Sequence, residues 1–125
     1  LADGILIKDN HIAALRARGM TLREVVCQAL ERAPHTLKVE VEVESVEDAR
    51  EALEAGAHIL LLDNMGLAEM RQAVALAKGR AMTEASGGIN LETVRAVAET
   101  GVDLISVGAL THSIHALDIS LDCQV

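Results

Sequence analysis

The sequence predicts an α/β fold: a partial (β/α) barrel of about five parallel strands with crossover helices, cut from a larger TIM-like barrel. Three observations carry that expectation. Five short apolar runs each end in a polar residue or a glycine. The stretches between them place apolar residues three and four apart, the period of an amphipathic helix, so strands alternate with helices and must run parallel. The chain has 125 residues, whereas a complete eightfold barrel takes about 250.

The elements are taken in chain order. Gly4-Ile5-Leu6-Ile7 is the first run and leads into Lys8. Thr21 is a suitable N-cap for a helix from Leu22 to Arg32, with Glu24 as its capping-box partner and Pro34 beyond the end. Val39 to Val43 is the second run, with glutamates between its valines. Ser45 with Asp48 opens the next helix in a similar way, and Gly56 follows it. His58 to Leu62 leads into Asp63. The helix from Leu67 to Lys78 ends with a cation near its last turn and Gly79 where a left-handed residue is often needed. Arg80-Ala81-Met82-Thr83 is the fourth run, with a loop from Glu84 to Gly88. Asn90 caps a helix from Leu91 to Thr100, and Gly101 closes it. Asp103 to Val107 is the fifth run and leads into Gly108. Residues 1–125 show no long linker or change of composition, so they read as one domain or part of one. Five strands of an open wall leave two unpaired edges.

Half of the residues are hydrophobic but none is Phe, Tyr or Trp, so the core must be built from Leu, Ile, Val, Ala and Met. The net charge of -8 argues against a nucleic-acid partner, because there is no basic stripe to neutralise phosphates. Small phosphate ligands remain open, since backbone amides and a bridging divalent cation can hold them in an acidic protein. Cys27 and Cys123 are too few and too far apart for a disulfide framework or a zinc site, which points to a reducing, cytoplasmic setting. No apolar run approaches a membrane span and no basic-then-apolar leader opens the chain, so no membrane is expected.

In parallel α/β architectures ligands bind where the strands end, which gathers Lys8, Glu42, Asp63, Ser86 and Gly108 at one mouth. Glu40, Glu42 and Glu44 share a strand face opposite Val39, Val41 and Val43. They are either glutamates in water or inward-facing barrel carboxylates that need a cation, for which Lys8 is available. Asp63 can be an N-cap, in competition with Asn64, or pair with Glu42 to hold Mg²⁺ and a diphosphate through hard oxygen ligands. Ser86-Gly87-Gly88 is either a plain turn or a run of N–H groups for an anion, near the start of the Asn90-capped helix. Gly108-Ala109-Leu110-Thr111 repeats the transition from strand through glycine to helix, and the last two loops of a barrel are its usual phosphate site. His112 and His115 have no third ligand and suit solvent or a phosphate better than a metal.

These segments resemble the quinolinate phosphoribosyltransferase family. The resemblance rests on Leu1-Ala2-Asp3 through the IKDNH turn at 7 to 11, EVEVE at 40 to 44, LLLDN at 60 to 64, EASGGI at 84 to 89, and TGVDLISVGALTHS at 100 to 113, in the family's order to about Asp122. It implies that phosphoribosyl diphosphate and quinolinate combine, with loss of carbon dioxide and diphosphate, to give nicotinate mononucleotide for NAD biosynthesis. It further implies that Lys8 contacts the quinolinate carboxylates, while Glu42 and Asp63 face the ribose and its Mg²⁺-diphosphate. Carboxylates there stabilise the positive charge that builds on the ribose carbon. Ser86, Gly87, Gly88, Val107, Gly108 and Ala109 would hold phosphate oxygens, assisted by His112. Members of the family carry an N-terminal domain and early barrel strands rich in Arg, Lys and His ahead of the position of Leu1, and a neighbouring subunit closes the site. The resemblance therefore implies a homodimer or larger homo-oligomer, with residues 1–125 as the C-terminal portion of the barrel domain. Two other readings stay open at this point. One is another phosphate-binding β/α barrel enzyme such as nicotinate phosphoribosyltransferase, and the other is an inactive fragment that self-associates through its sheet edges.

Overall fold

Valines at alternate positions of residues 38–43 give a strand one dry face, and that face decides where the helices go. Val39, Val41 and Val43 are completely buried, while Glu40 and Glu42 between them are half-buried. The same alternation holds in the next two strands, where Leu60, Leu62, Thr83 and Ala85 are buried and their neighbours are not. The structure, a computed structural model, describes residues 4–107. Its elements are β1 (Gly4–Ile7), α1 (Asp9–Arg16), α2 (Leu22–Arg32), β2 (Lys38–Val43), α3 (Val46–Ala55), β3 (Ile59–Asp63), α4 (Leu67–Ala77), β4 (Met82–Ser86), α5 (Val94–Ala98) and β5 (Leu104–Ile105).

The strands form a single parallel sheet in the order β1-β2-β3-β4-β5. Spatial order equal to sequence order is that of a barrel wall, whereas a doubly wound sheet reverses direction at a switch point. The expected partial barrel of five parallel strands is therefore the observed fold. Its core is aliphatic throughout: Val25, Val26, Ala49, Ala52, Leu53, Met70, Ala73 and Ala77 from the helices meet Ile7 and the buried strand residues. Large apolar residues on the opposite side are left outside this core, with Met82 47% and Leu104 46% exposed.

Helix ends follow their local chemistry. Thr21 accepts from the Glu24 N–H and Glu24 returns a carboxylate to the Thr21 N–H, the capping box the sequence predicts. Ser45 accepts from the Asp48 N–H. The Asp48 carboxylate accepts instead from Arg16, at 3.0 Å, and so ties α3 to α1. Gly56 closes α3 at φ 103°, a left-handed conformation open to glycine at little cost.

Three expectations need correction. The fourth strand is Met82–Ser86 rather than residues 80–83, because Arg80 and Ala81 are consumed by a turn that bonds back to the Ala77 carbonyl. Glu84 thus belongs to the strand and not to the loop. The helix expected from Leu91 to Thr100 is reduced to Val94–Ala98. Asn90 does cap, accepting from the Glu92 and Thr93 N–H groups, but it caps an isolated turn ahead of the helix. The fifth strand pairs only at Leu104–Ile105. An additional helix, α1, begins directly after Lys8.

Candidate functional site

The face of the sheet away from the core carries the polar strand residues in rows. Register places Leu6 beside Glu40, and Glu42 beside Leu61, which in turn lies beside Glu84. Asp63 lies beside Ser86 at the strand ends. Continuing the β1–β2 register by one step along the same face brings Lys8 level with Glu42. The structure thus brings Lys8, Glu42, Asp63 and the Ser86-Gly87 turn to one end of the sheet, the C-terminal end where ligands of parallel sheets bind. Val107 is buried just past β5. Gly108, Ala109 and His112, with His115, lie outside the described residues.

Asp9 and Glu84 join this set without having been singled out from the sequence. The Asp9 N–H donates to Glu42 Oε1 at 2.8 Å, so Glu42 binds the first turn of α1 across 33 residues of chain. This places the Asp9 carboxylate among Glu42, Glu44 and Asp63, and all three carboxyls sit above the usual range. For Glu42 and Asp63 burial is the main cause; the Asp9 N–H bond opposes it at Glu42 and a hydrogen bond with Asn64 opposes it at Asp63, while the Asp9 charge adds in both. For exposed Glu44 the main cause is the Asp9 side chain. Deeper in the sheet, burial and then the neighbouring Glu84 push Glu40 up to about 7. Glu84 falls outside the strand expected from the sequence, which starts two residues ahead of the observed one. Residues 82–86 carry no clear alternation of apolar and polar side chains, and it is the pairing with β3 that puts Glu84 in the strand.

The LLLDN and SGG segments are locked together by space as well as by pairing. Gly87 has φ 84°, and a Cβ placed on it would lie 2.7 Å from Asn64 Oδ1 and 2.8 Å from Asp63 Oδ1. A Cβ could enter only if the Asp63 and Asn64 side chains moved aside, and the left-handed φ opposes it as well, so the glycine turn lies directly against the Asp63 carboxylate. Asn64 is itself left-handed, at φ 53°, and its N–H donates to the Ser86 carbonyl at 3.0 Å. Asn64 is thereby used in the strand-end turn rather than as a helix cap, and the following helix is opened by Gly66 with Glu69.

The donor set suits a magnesium ion. Glu42 and Asp63 offer hard oxygen ligands in a patch of excess negative charge, and Mg²⁺ is commonly held by one or two carboxylates with the remaining positions filled by water and phosphate. Among the described residues no group of three or more His, Cys, Asp or Glu forms a complete metal cage.

A family model described as "Quinolinate phosphoribosyl transferase, C-terminal domain" matches residues 1–122. The probable nicotinate-nucleotide pyrophosphorylase [carboxylating] of Bacillus subtilis (strain 168) is 46% identical over 122 residues, covering 98% of this chain and 41% of its own length. Quinolinate phosphoribosyltransferase [decarboxylating] 2, mitochondrial, of Nicotiana glauca is 43% identical, covering 97% of this chain and 38% of its own. The crystal structure of NadC from Streptococcus pyogenes superposes with a TM-score of 0.78 at 43% identity, over 90% of this chain and 38% of that one. The chain spans about two fifths of the length of the relatives it matches. The aligned motifs and the in-order parallel wall agree: this chain belongs to the quinolinate phosphoribosyltransferase family, in which it corresponds to the C-terminal domain.

Proposed function

We propose that residues 1–125 are the C-terminal portion of the barrel domain of an enzyme that transfers phosphoribosyl from phosphoribosyl diphosphate to quinolinate and releases carbon dioxide. The observation that carries this reading is the contact of Gly87 with Asp63 and Asn64, which sets a carboxylate and a glycine turn side by side at neighbouring strand ends. A carboxylate beside backbone amides is what a ribose-diphosphate needs, with the cationic sugar carbon facing the acid and the phosphates facing N–H groups.

In this reading Glu42 and Asp63 flank the ribose. The bond from the ribose carbon to diphosphate breaks as the bond to the pyridine nitrogen forms, and the two carboxylates offset the positive charge developing between. They are also the residues that would hold Mg²⁺, which neutralises the leaving diphosphate when bound. Ser86, Gly87, Gly88, Val107, Gly108 and Ala109 hold phosphate oxygens, with His112 assisting. Lys8 pairs with a quinolinate carboxylate. Residues beyond this chain, which the longer relatives have room for, supply the further cations and the rest of the barrel wall. A second copy completes the assembly as a homodimer or larger homo-oligomer. The sparse cysteines, two in 125 residues, support a reducing cytoplasmic setting. No helix among the described residues is long and apolar enough to cross a membrane.

The test is quinolinate-dependent release of diphosphate by the full-length enzyme carrying this chain, in a coupled assay, with nicotinate tested in parallel. Activity on nicotinate alone would move the chain's substrate to a monocarboxylate. The 125-residue chain alone should associate in size-exclusion chromatography and release no diphosphate, and a monomeric, active chain would refute this division of labour. In the full-length enzyme Lys8→Ala should weaken quinolinate binding by about 2 to 5 kcal/mol if the pair is buried. Calorimetric titration should show phosphoribosyl diphosphate much less affected, and equal losses for both ligands would reject the role given to Lys8.

A further inference from the structure

The last described strand is held in place by little backbone. β5 pairs with β4 only through Glu84↔Leu104 and Ala85↔Ile105, whereas β3 and β4 pair at five positions. Two side-chain clasps make up for this, one on each face. On the helix side and at the start of β5, Asp103 Oδ2 accepts from the Thr83 N–H at 2.8 Å and from its hydroxyl at 3.2 Å. On the opposite side and at the end of β5, the Ser106 hydroxyl donates to Glu84 Oε2 at 2.7 Å, next to the bond from the Ser106 N–H to the Ala85 carbonyl at 2.9 Å. The distance is that of a well-formed O–H···O hydrogen bond.

Both partners of this second clasp stand within two residues of a strand-end segment. Glu84 is two residues ahead of Ser86 and the glycine turn, and Ser106 directly precedes Val107. The first clasp fixes where β5 begins, and the second fixes where it ends. We propose that Glu84 is a positioning residue, which through the hydrogen bond from Ser106 holds the end of β5 against β4 and so sets how far Val107 stands from the Ser86-Gly87 turn. The inference rests on the proposed phosphate role of those two strand-end segments, and it assigns Glu84 and Ser106 no contact with substrate.

The experiment uses the full-length enzyme with Glu84→Ala, Ser106→Ala, the double variant, and the two conservative changes Glu84→Gln and Ser106→Thr. Each is measured for KM with both substrates, for kcat, and for binding of inorganic phosphate by calorimetry. Either alanine should raise the KM for phosphoribosyl diphosphate about tenfold, the loss expected when a hydrogen bond to a charged group is removed, and weaken inorganic phosphate by a similar factor. The KM for quinolinate should stay within about twofold, and the double variant should be no worse than the singles, as for two ends of one bond. Gln and Thr keep an acceptor and a donor and should restore most of the affinity. A Glu84→Gln as poor as Glu84→Ala would overturn the proposal by showing that charge, not the bond, matters. So would additive losses in the double variant. If the alanine variants do not fold, Gln and Thr decide alone, and loss of phosphate affinity in either counts against the clasp. Should the parent enzyme lack quinolinate-dependent diphosphate release, the proposed reaction fails, while unchanged phosphate binding in both alanine variants would separately sink the positioning role.

Discussion

Val41 and Glu42 are adjacent on β2, yet one is sealed among aliphatic side chains and the other bonds the start of α1. The same split recurs at Leu62 and Asp63 on β3, and at Ala85 and Ser86 on β4. One face of the sheet is held by apolar burial against α1 to α4, and it specifies the strands. The other face contributes less to stability, which leaves its residue types free to be chosen for charge. The lesson is a division by parity: every second residue of a strand makes the wall, and the strand carboxylates and Ser86 of the candidate site all stand at positions between, beside apolar residues such as Leu61.

The largest effect that tests this division is on the wall itself. Leu62→Ala, at a fully buried position, should cost about 2 to 5 kcal/mol of stability in urea unfolding, from lost transfer energy and a residual cavity. Leu61→Ala, one residue away and half-buried, should cost clearly less. Equal losses would mean that the second face is as well covered as the first.

Next comes the seam where both faces end. Gly87→Ala forces a left-handed alanine against Asp63 and Asn64, a strain of about 1 to 3 kcal/mol. The turn should move to relieve it, so turnover should fall in the full-length enzyme even at temperatures where the variant remains folded. Full activity in a folded variant would dissociate the glycine turn from the site.

A subtler measure uses pH. Glu40 has its folded value raised to about 7, above its unfolded value, so the folded state binds the extra proton. Its stabilising share is complete below about pH 4.5 and lost as pH rises towards 7. Discounted for solvent screening, the loss should be about 1 to 2 kcal/mol. Glu40→Gln should flatten that slope in thermal melts recorded from pH 4 to 8, and an unchanged slope would place its origin elsewhere.

The smallest stability effect belongs to the site carboxylates. Glu42→Gln keeps an acceptor for the Asp9 N–H, and Asp63→Asn keeps shape, so both should shift stability by about 0.5 kcal/mol or less. Turnover should nevertheless fall. Sharp losses of melting temperature with normal turnover per folded molecule would return both residues to a structural role.

Much of the fold and part of the site are legible in residues alone, for reasons that differ by element. The α2 boundaries and the Thr21–Glu24 box are readable because capping is a contact between near neighbours. The parity of β2 is readable because Val and Glu differ so strongly in hydrophobicity. Glu84 is not, since Arg80-Ala81-Met82 looks as strand-like as Thr83-Glu84-Ala85, and only pairing with β3 decides where β4 starts. Asp9 is hidden for a related cause: its neighbours Glu42 and Asp63 are brought to it by tertiary structure, and no spacing in sequence announces them. The shortness of α5 is likewise a matter of competition, with Asn90 and Thr93 satisfying each other in a local turn.

Because each strand pairs with its predecessor in the chain, no contact in the wall has to wait for a distant segment to arrive. Each pairing closes a loop of one crossover only, and the entropy of such closures grows slowly with length. Strands β2, β3 and β4 have neighbours on both sides, whereas β1 and β5 have one each among the described residues. This connectivity predicts opening from the ends inward, as in stacked repeats, so the β3 amides should be the slowest of the sheet in hydrogen exchange. Any partner that lengthens the wall at β1 or β5 should thus act as a brake on unfolding, although it adds nothing to the aliphatic core between β2, β3, β4 and the helices.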